Sequence, residues 1–557
     1  MMQRLYTAAG ECLPEIPWND YPRPQLHRED WLCLNGRWEL SANGKTCAIL
    51  VPFCPESLLS GVEEAPACGE TLIYRRTFSV PDHWAGRRII LHFGAVSREA
   101  EVFVNDVSAT KHDNGYLPFE VDITNNLKPG KNELSVRVRN DLDPRFPWGK
   151  QKMKRGGMWY TPVSGIWQTV WLEPVPERHI AGISMENDLS SVRVTVHGVS
   201  EGTILFEGSE IPLRDGQAEI TVPDPICWTP ETPHLYRFTI ISKEDRAESY
   251  FALRTVSAAP DGKGIPRLCL NGKPYFFHGL LDQGYWSDGL YTPAGPELYE
   301  DDIRVAKEMG FNTLRKHIKI EPERFYYDCD RLGMVVFQDM VNSGTYDFLR
   351  DTALPTLGFL RRDDMRLHTD PLQRAAFRSA MEGTVEALRN HPSVCLWTIF
   401  NEGWGQFRAD EAYDRLKALD PGRFIDTASG WFVPKKSDVE SLHIYFGPLH
   451  LGKDRSRPQI LSEYGGYVRK LREHSFNQEK TYGYRVYGDD DSYFRALTEL
   501  FEKLVPLAED GLCAAVYTQL SDVEDETNGL LTFDRREKKI SPEKLRLAAE
   551  RMINALK

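Results

Sequence analysis

Two hydrophobic rhythms divide this chain. In its first third, short runs rich in β-branched and aromatic residues alternate apolar with polar positions: "LIYRRTFSVP", "RRIILHFGAV", "EVFVND" and "NELSVRVRN". Turn signals such as "DNG" and "KPGKN" separate them, and regular short strands of this kind predict an N-terminal β jelly roll over residues 1–177. A second β segment runs from "SSVRVTVHG" through "LYRFTIIS" to "ESYFALRTV". Its length suits a small immunoglobulin-like β-sandwich over 178–258. "SAAPDGKGIP", rich in Gly, Pro and Ala, reads as the next linker.

From about residue 266 continuous apolar runs alternate with amphipathic stretches. The runs are "PYFFHGLL", "FNTLRKHI", "MVVFQDM", "SVCLWTIF", "RFIDTAS", "SLHIY", "QILSEYGG" and "GLCAAVYTQ". "PELYEDDIRVAKEMG", "EPERFYYDCDRLG" and "DPLQRAAFRSAMEGTVEALRNH" carry helical spacing between them. Eight strand-like runs with helices between predict a C-terminal (β/α)8 TIM barrel over 259–557. Such barrels place their chemistry at the C-terminal ends of the strands, which directs attention to two acids. Glu402 closes the fourth run in "TIFNEGW", and Glu463 closes the seventh in "ILSEYGG". Strands four and seven lie across an eight-stranded barrel from one another. Two carboxylates about 5–5.5 Å apart allow one to attack an anomeric carbon while the other protonates the leaving oxygen. Like charges at that distance also separate the two pKa values, giving an acid and a nucleophile from one residue type.

Asn401–Glu402 after strand four, with Ser462–Glu463–Tyr464–Gly465 after strand seven, resembles glycoside hydrolase family 2, the β-galactosidases, β-glucuronidases and β-mannosidases. The resemblance covers nearly the whole chain. "LNGRWEL", "YRRTFSVPDHW", "GYLPFEVDIT" and "GGMWYTPVSGIWQTVWLEPV" are similar to that family's sugar-binding jelly roll, and "CWTPETPHLYRF" with "SYFALRTV" to its immunoglobulin-like domain. The resemblance implies a retaining exo-β-glycosidase. Glu402 is then the acid/base, Asn401 the contact to the sugar 2-hydroxyl and Glu463 the nucleophile. Tyr445 hydrogen-bonds the nucleophile, and Arg315 stands beside it. A jelly roll capping one side of the barrel mouth makes a pocket that fits exo action. The family is often oligomeric, so a homo-oligomer is a possible state.

The chain departs from the family pattern in places. "RKHIKIEP" replaces the usual Ser-His-Tyr-Pro, which changes the offset of His317 from the arginine. "TNGLLTF" supplies Asn528 but places Leu530 where the glucuronidase Asn-x-Lys signature has its lysine. The eighth-strand tryptophan is replaced around Tyr517 and Leu520. No set of residues resembles the β-galactosidase magnesium site, so neither metal nor cofactor is expected.

Tyr285, Trp286, Trp404, Trp431 and Tyr517 fall near strand ends, and sugar rings present C–H faces that stack on aromatics. Asp282, Gln283 and Asp339 are candidate acceptors for sugar hydroxyls, followed by Ser429 and His443. Strand alternation puts Arg315, His317 and Lys319 on one side. A dense basic face in an acidic protein suggests an anionic substrate group, with Arg535 as a further partner. The reading therefore leans to an acidic sugar, a β-galacturonide or other hexuronide. A neutral β-galactoside is the alternative. A sugar-binding barrel without turnover is a third reading, whose mark would be the loss of either glutamate.

Composition narrows the partners. The 557 residues carry a net charge of −13 and are 41% hydrophobic, which argues against nucleic acid or an anionic membrane. The opening "MMQRLYTAAGECLPEIPW" has no continuous apolar stretch of signal-peptide type. Ten scattered cysteines form no CxxC pair and read as reduced thiols of a cytoplasmic protein.

Overall fold

The computed structural model describes residues 2–359, 363–432 and 434–554. Its eight-stranded parallel sheet occupies the eight apolar runs. The strands are β1 (Phe277–Asp282), β2 (Thr313–Lys316), β3 (Val335–Asp339), β4 (Val394–Asn401), β5 (Phe424–Ser429), β6 (Glu440–Ile444), β7 (Gln459–Gly465) and β8 (Leu512–Thr518). They pair in the order β5-β4-β3-β2-β1-β8-β7-β6, which makes a nearly closed barrel. A parallel strand is covered on both faces and so reads as one continuous apolar run instead of alternating. All eight residues of β4, VCLWTIFN, are buried.

The outer helices follow the same logic. In Pro371–Leu388 the buried residues Phe377, Ala380, Met381, Thr384, Val385 and Leu388 recur every three or four positions. Asp370 caps that helix by accepting from the Leu372 amide at 2.8 Å, with Pro371 in the first turn.

Ahead of the barrel, a six-stranded and a four-stranded antiparallel sheet enclose a core containing Trp38, Tyr74, Phe93, Val136 and Leu172. Lys131–Arg139 shows why: Asn132, Leu134, Val136 and Val138 point inward while their neighbours face out or lie half-buried. A three-stranded and a four-stranded sheet follow, closing over Val194, Ile204, Ile220 and Phe238. All ten cysteines are unpaired. Among the described residues, no helix is long and apolar enough to cross a membrane.

One loop of the first β domain reaches the barrel mouth and is pinned at both ends. The Trp148 backbone N–H and indole Nε1 donate to Asn342 O and Gly344 O beyond β3, each at 3.0 Å. On the far side Thr161 N donates to Glu524 at 2.9 Å, and the Tyr160 hydroxyl donates to Glu526, both beyond β8.

Candidate active site

The strand β4 ends in a turn that aims Glu402. Its φ is 51°, and Gly403 follows at 72°. The Trp404 amide closes the turn onto Asn401 O at 2.8 Å, and the Glu402 amide ties it to Ser429 O on β5 at 2.9 Å. A non-glycine residue in the left-handed region costs about 1–2 kcal/mol, and such strain persists where the surroundings over-determine it, often at functional sites. The abrupt Asn-Glu-Gly-Trp ending is thus a device for holding a carboxylate at the mouth.

Glu463, from β7, faces it. An oxygen of each glutamate and a nitrogen of His443 all lie within 4.8 Å of one another. Arg315 is the hub on the Glu463 side. Its Nε and Nη2 donate to the two oxygens of Asp339 at 2.9 and 3.0 Å, Nη1 to Glu463 Oε1 at 3.0 Å, and Nη2 to Asn401 Oδ1 at 2.8 Å. The Tyr445 hydroxyl donates to the other Glu463 oxygen, and its ring stacks on Tyr484 at 3.9 Å. Burial works against ionising Glu463. The charges of His443 and Arg315 and the Tyr445 hydrogen bond outweigh burial, so its pKa falls well below the usual carboxylate range. Asp339 behaves alike: burial opposes its charge, and Arg315 and His317 prevail.

His443 stands between the two acids. Its Nδ1 contacts Glu402 Oε1 at 2.9 Å, and Nε2 lies 3.0 Å from Ser429 Oγ and 3.6 Å from Glu463 Oε1. Ser429 Oγ donates onward to Ser462 at 2.8 Å. Gly430, at φ 87°, gives this ring its room, since a Cβ there would lie 2.6 Å from the imidazole. Trp431 is half-buried, its ring centre 6.1 Å from that of His443.

Several residues expected to face a sugar are spent on the protein instead. Asp282 accepts from Lys316 at 2.5 Å and from the Gly284 amide at 2.8 Å. Lys319 donates to Gly284 O, Tyr291 O and Glu321. His317 is held by Asp339 at 2.6 Å, and burial with the nearby Lys150 charge lowers its pKa to about 4, so it is neutral at pH 7. Asp339 has both oxygens engaged, as above. Arg535 pairs with Asp302 at 3.3 Å and lies over the Trp286 ring. The basic face inferred from alternation is therefore balanced internally. Arg315 and His317 do share a side, meeting at Asp339, but the alternation breaks before Lys319 because β2 ends at Lys316 and Ile318 at φ 55° turns the backbone.

Gln283 gives its amide nitrogen to Gln519 at 2.8 Å. Asn528 donates to Glu526 at 3.2 Å, and its Oδ1 has no partner among the described residues. Trp404 packs against Trp159 and Tyr346, with its indole N–H likewise unpartnered among the described residues. The sequence reading missed Lys150, Tyr160, Tyr484 and Glu526. The run Lys150, Lys152, Lys154 and Arg155 between Trp148 and Trp159 was the available signal for the loop.

Among the described residues, the group whose spacing suits a metal ion is Glu402–His443–Glu463 itself. The Arg315 cation already neutralises Glu463 Oε1, which makes that oxygen a poor ligand for a second cation.

A (β/α)8 barrel with a strand-end carboxylate pair, one member ionised by an arginine, defines a glycosidase-type centre. The comparisons agree: the chain belongs to the family 2 glycosyl hydrolases, with residues 27–176 matching that family's sugar binding domain and 265–468 its TIM barrel domain. It is 28% identical over 470 residues to a β-galactosidase of Aeromonas hydrophila, covering 75% of this chain and 43% of that protein. It is 24% identical over 434 residues to a β-glucuronidase of Pongo abelii, covering 68% and 63%. The chain thus spans less than two thirds of these curated relatives. Among solved structures, a β-D-glucuronidase of Dictyoglomus thermophilum superposes with a TM-score of 0.75 at 19% identity, covering 96% of this chain and 98% of the other. A family 2 β-galacturonidase from Eisenbergiella tayi bound to galacturonate gives 0.71 at 19% identity, covering 96% and 99%.

Proposed function

We propose that this chain hydrolyses terminal non-reducing β-D-glycosides with retention of anomeric configuration. The observation that carries the reading is the Glu402–Glu463 pair, with oxygens within 4.8 Å and Glu463 held ionised by His443, Arg315 and Tyr445. That spacing leaves no room for a water between the Glu463 carboxylate and the anomeric carbon, which favours direct attack by the carboxylate. Glu463 attacks the anomeric carbon as Glu402 protonates the leaving oxygen, forming a glycosyl-enzyme. Glu402, now a base, takes a proton from water, which releases the sugar.

Asn401 gives its oxygen to Arg315, which turns its amide N–H groups toward a ligand hydroxyl. The pinned loop from the first β domain walls one side of the mouth and favours exo action on a single terminal sugar.

The internal balance of His317 and Lys319 removes the first argument for an acidic sugar and keeps a neutral galactoside as the second reading. Initial rates on aryl β-D-galactoside, glucoside, mannoside, glucuronide and galacturonide test the activity, with Glu463→Gln as control. Turnover of at least one, abolished in the variant, supports the reading. Turnover that persists in Glu463→Gln removes the nucleophile assignment.

A further inference from the structure

The cations around the mouth are nearly all accounted for. Arg315 faces Asp339 and Glu463, Lys316 faces Asp282 and Glu321, Lys319 faces Glu321, and Arg155 faces Glu524. Among the described residues, Lys150 is a buried exception. Its side chain comes from the pinned loop, is only 7% exposed, and makes no ion pair among the described residues. Its ammonium instead lies over two rings, 5.4 Å from the centre of Tyr160 and 5.9 Å from that of Trp404, two residues beyond Glu402.

The surrounding chain fixes this placement. Gly149, at φ 74°, sits where a Cβ would fall 2.6 Å from the Tyr116 hydroxyl. Gln151, on the other side, is held by Tyr116 and Tyr291. The nearby acid Glu526 feels the Lys150 charge, which offsets part of the effect of its burial, but the two make no ion pair among the described residues, and the Glu526 oxygens accept from Tyr160 and Asn528. A buried ammonium without a counter-ion is costly, and ring contacts recover only part of that cost.

We propose that Lys150 reads an anionic group on the terminal sugar, so that the substrate is a β-D-hexuronide. This rests on the glycosidase reading and deepens it. The carboxylate of the sugar supplies the counter-ion that the protein omits, and selectivity over a neutral sugar follows, because the neutral sugar leaves the ammonium unpaired. A sulfate ester at the same sugar position offers related chemistry.

Binding and turnover are measured separately. Calorimetry compares free D-galacturonate and D-glucuronate with D-galactose in the wild type, Lys150→Met and Lys150→Arg. Kinetics compare kcat/KM for aryl β-D-galacturonide, glucuronide, galactoside and 6-sulfogalactoside. The proposal expects a uronate preference that weakens with salt. Lys150→Met should reduce the uronide-to-galactoside ratio roughly 30-fold or more through KM, and Lys150→Arg should retain most of the preference. Preference for the 6-sulfogalactoside over both uronides overturns the hexuronide assignment. A wild type without uronate preference, or a ratio unmoved in folded Lys150→Met, overturns the role of Lys150 while leaving glycosidase activity intact. Uronate binding that depends on Lys150, without turnover of any glycoside, sinks the hydrolase reading and keeps the site. If Lys150→Met does not fold, the salt dependence of wild-type binding and the Lys150→Arg ratio decide.

Discussion

Two short segments crowd cations at the barrel mouth, and they use them in opposite ways. Residues 315–319, "RKHIK", look like an anion receptor, yet Arg315, Lys316 and Lys319 each face a carboxylate and His317 is neutral. Residues 150–152, "KQK", look like an ordinary surface loop, yet both lysines lie over aromatic rings with no ion pair among the described residues. A count of basic residues cannot separate a balanced charge from an unspent one; the partners do. The balanced cluster orders the reaction centre, and the unbalanced one is the proposed seat of a ligand's anionic group.

The comparison breaks most visibly at the carboxylates that the balanced cluster serves. Glu463→Gln should lower kcat by about 10⁴-fold or more, and Glu402→Gln by about 10²–10⁴-fold, both in steady-state assays on the best aryl glycoside. Arg315→Met leaves Asp339 buried without its cation. It should cost about 3–5 kcal/mol in urea unfolding and also lose activity. If Arg315→Met unfolds like the wild type, the hub is not holding buried charge.

Lys319→Met sharpens the contrast. It should destabilise the fold by orphaning part of the Glu321 network, yet leave the uronide-to-galactoside ratio unmoved. A shifted ratio would return Lys319 to the binding site.

A smaller effect concerns pH. Burial and Lys150 lower His317 to about 4 from its ordinary 6.5. Between those values the unfolded chain takes up a proton that the folded chain refuses, so the His317 contribution to stability falls as pH drops from 6.5 to 4. Asp426 and Asp302, which burial raises to about 6, pull the other way. The readout is therefore the difference in urea midpoint between wild type and His317→Gln, which should narrow or reverse toward pH 4.5. A difference constant with pH would contradict the neutral, buried imidazole.

The barrel was legible because parallel strands buried on both faces leave continuous apolar runs, and the helix at 371–388 because its cap and period are local. Glu402 and Glu463 were legible because each ends such a run. The tie from Arg315 to Asp339 was not, since it joins separate strands. Alternation misled at Lys319 because it holds only while the strand lasts. Lys150 was invisible as a site residue because its place depends on a loop of one domain meeting the mouth of another, which no local pattern encodes.

The most direct test of the account is the configuration of the first product. Proton NMR of the early hydrolysate of the best aryl β-D-glycoside, read before mutarotation, should show the β-anomer, as a double displacement through Glu463 requires. An α-anomer appearing first would contradict it and recast Glu463 as a base that activates water.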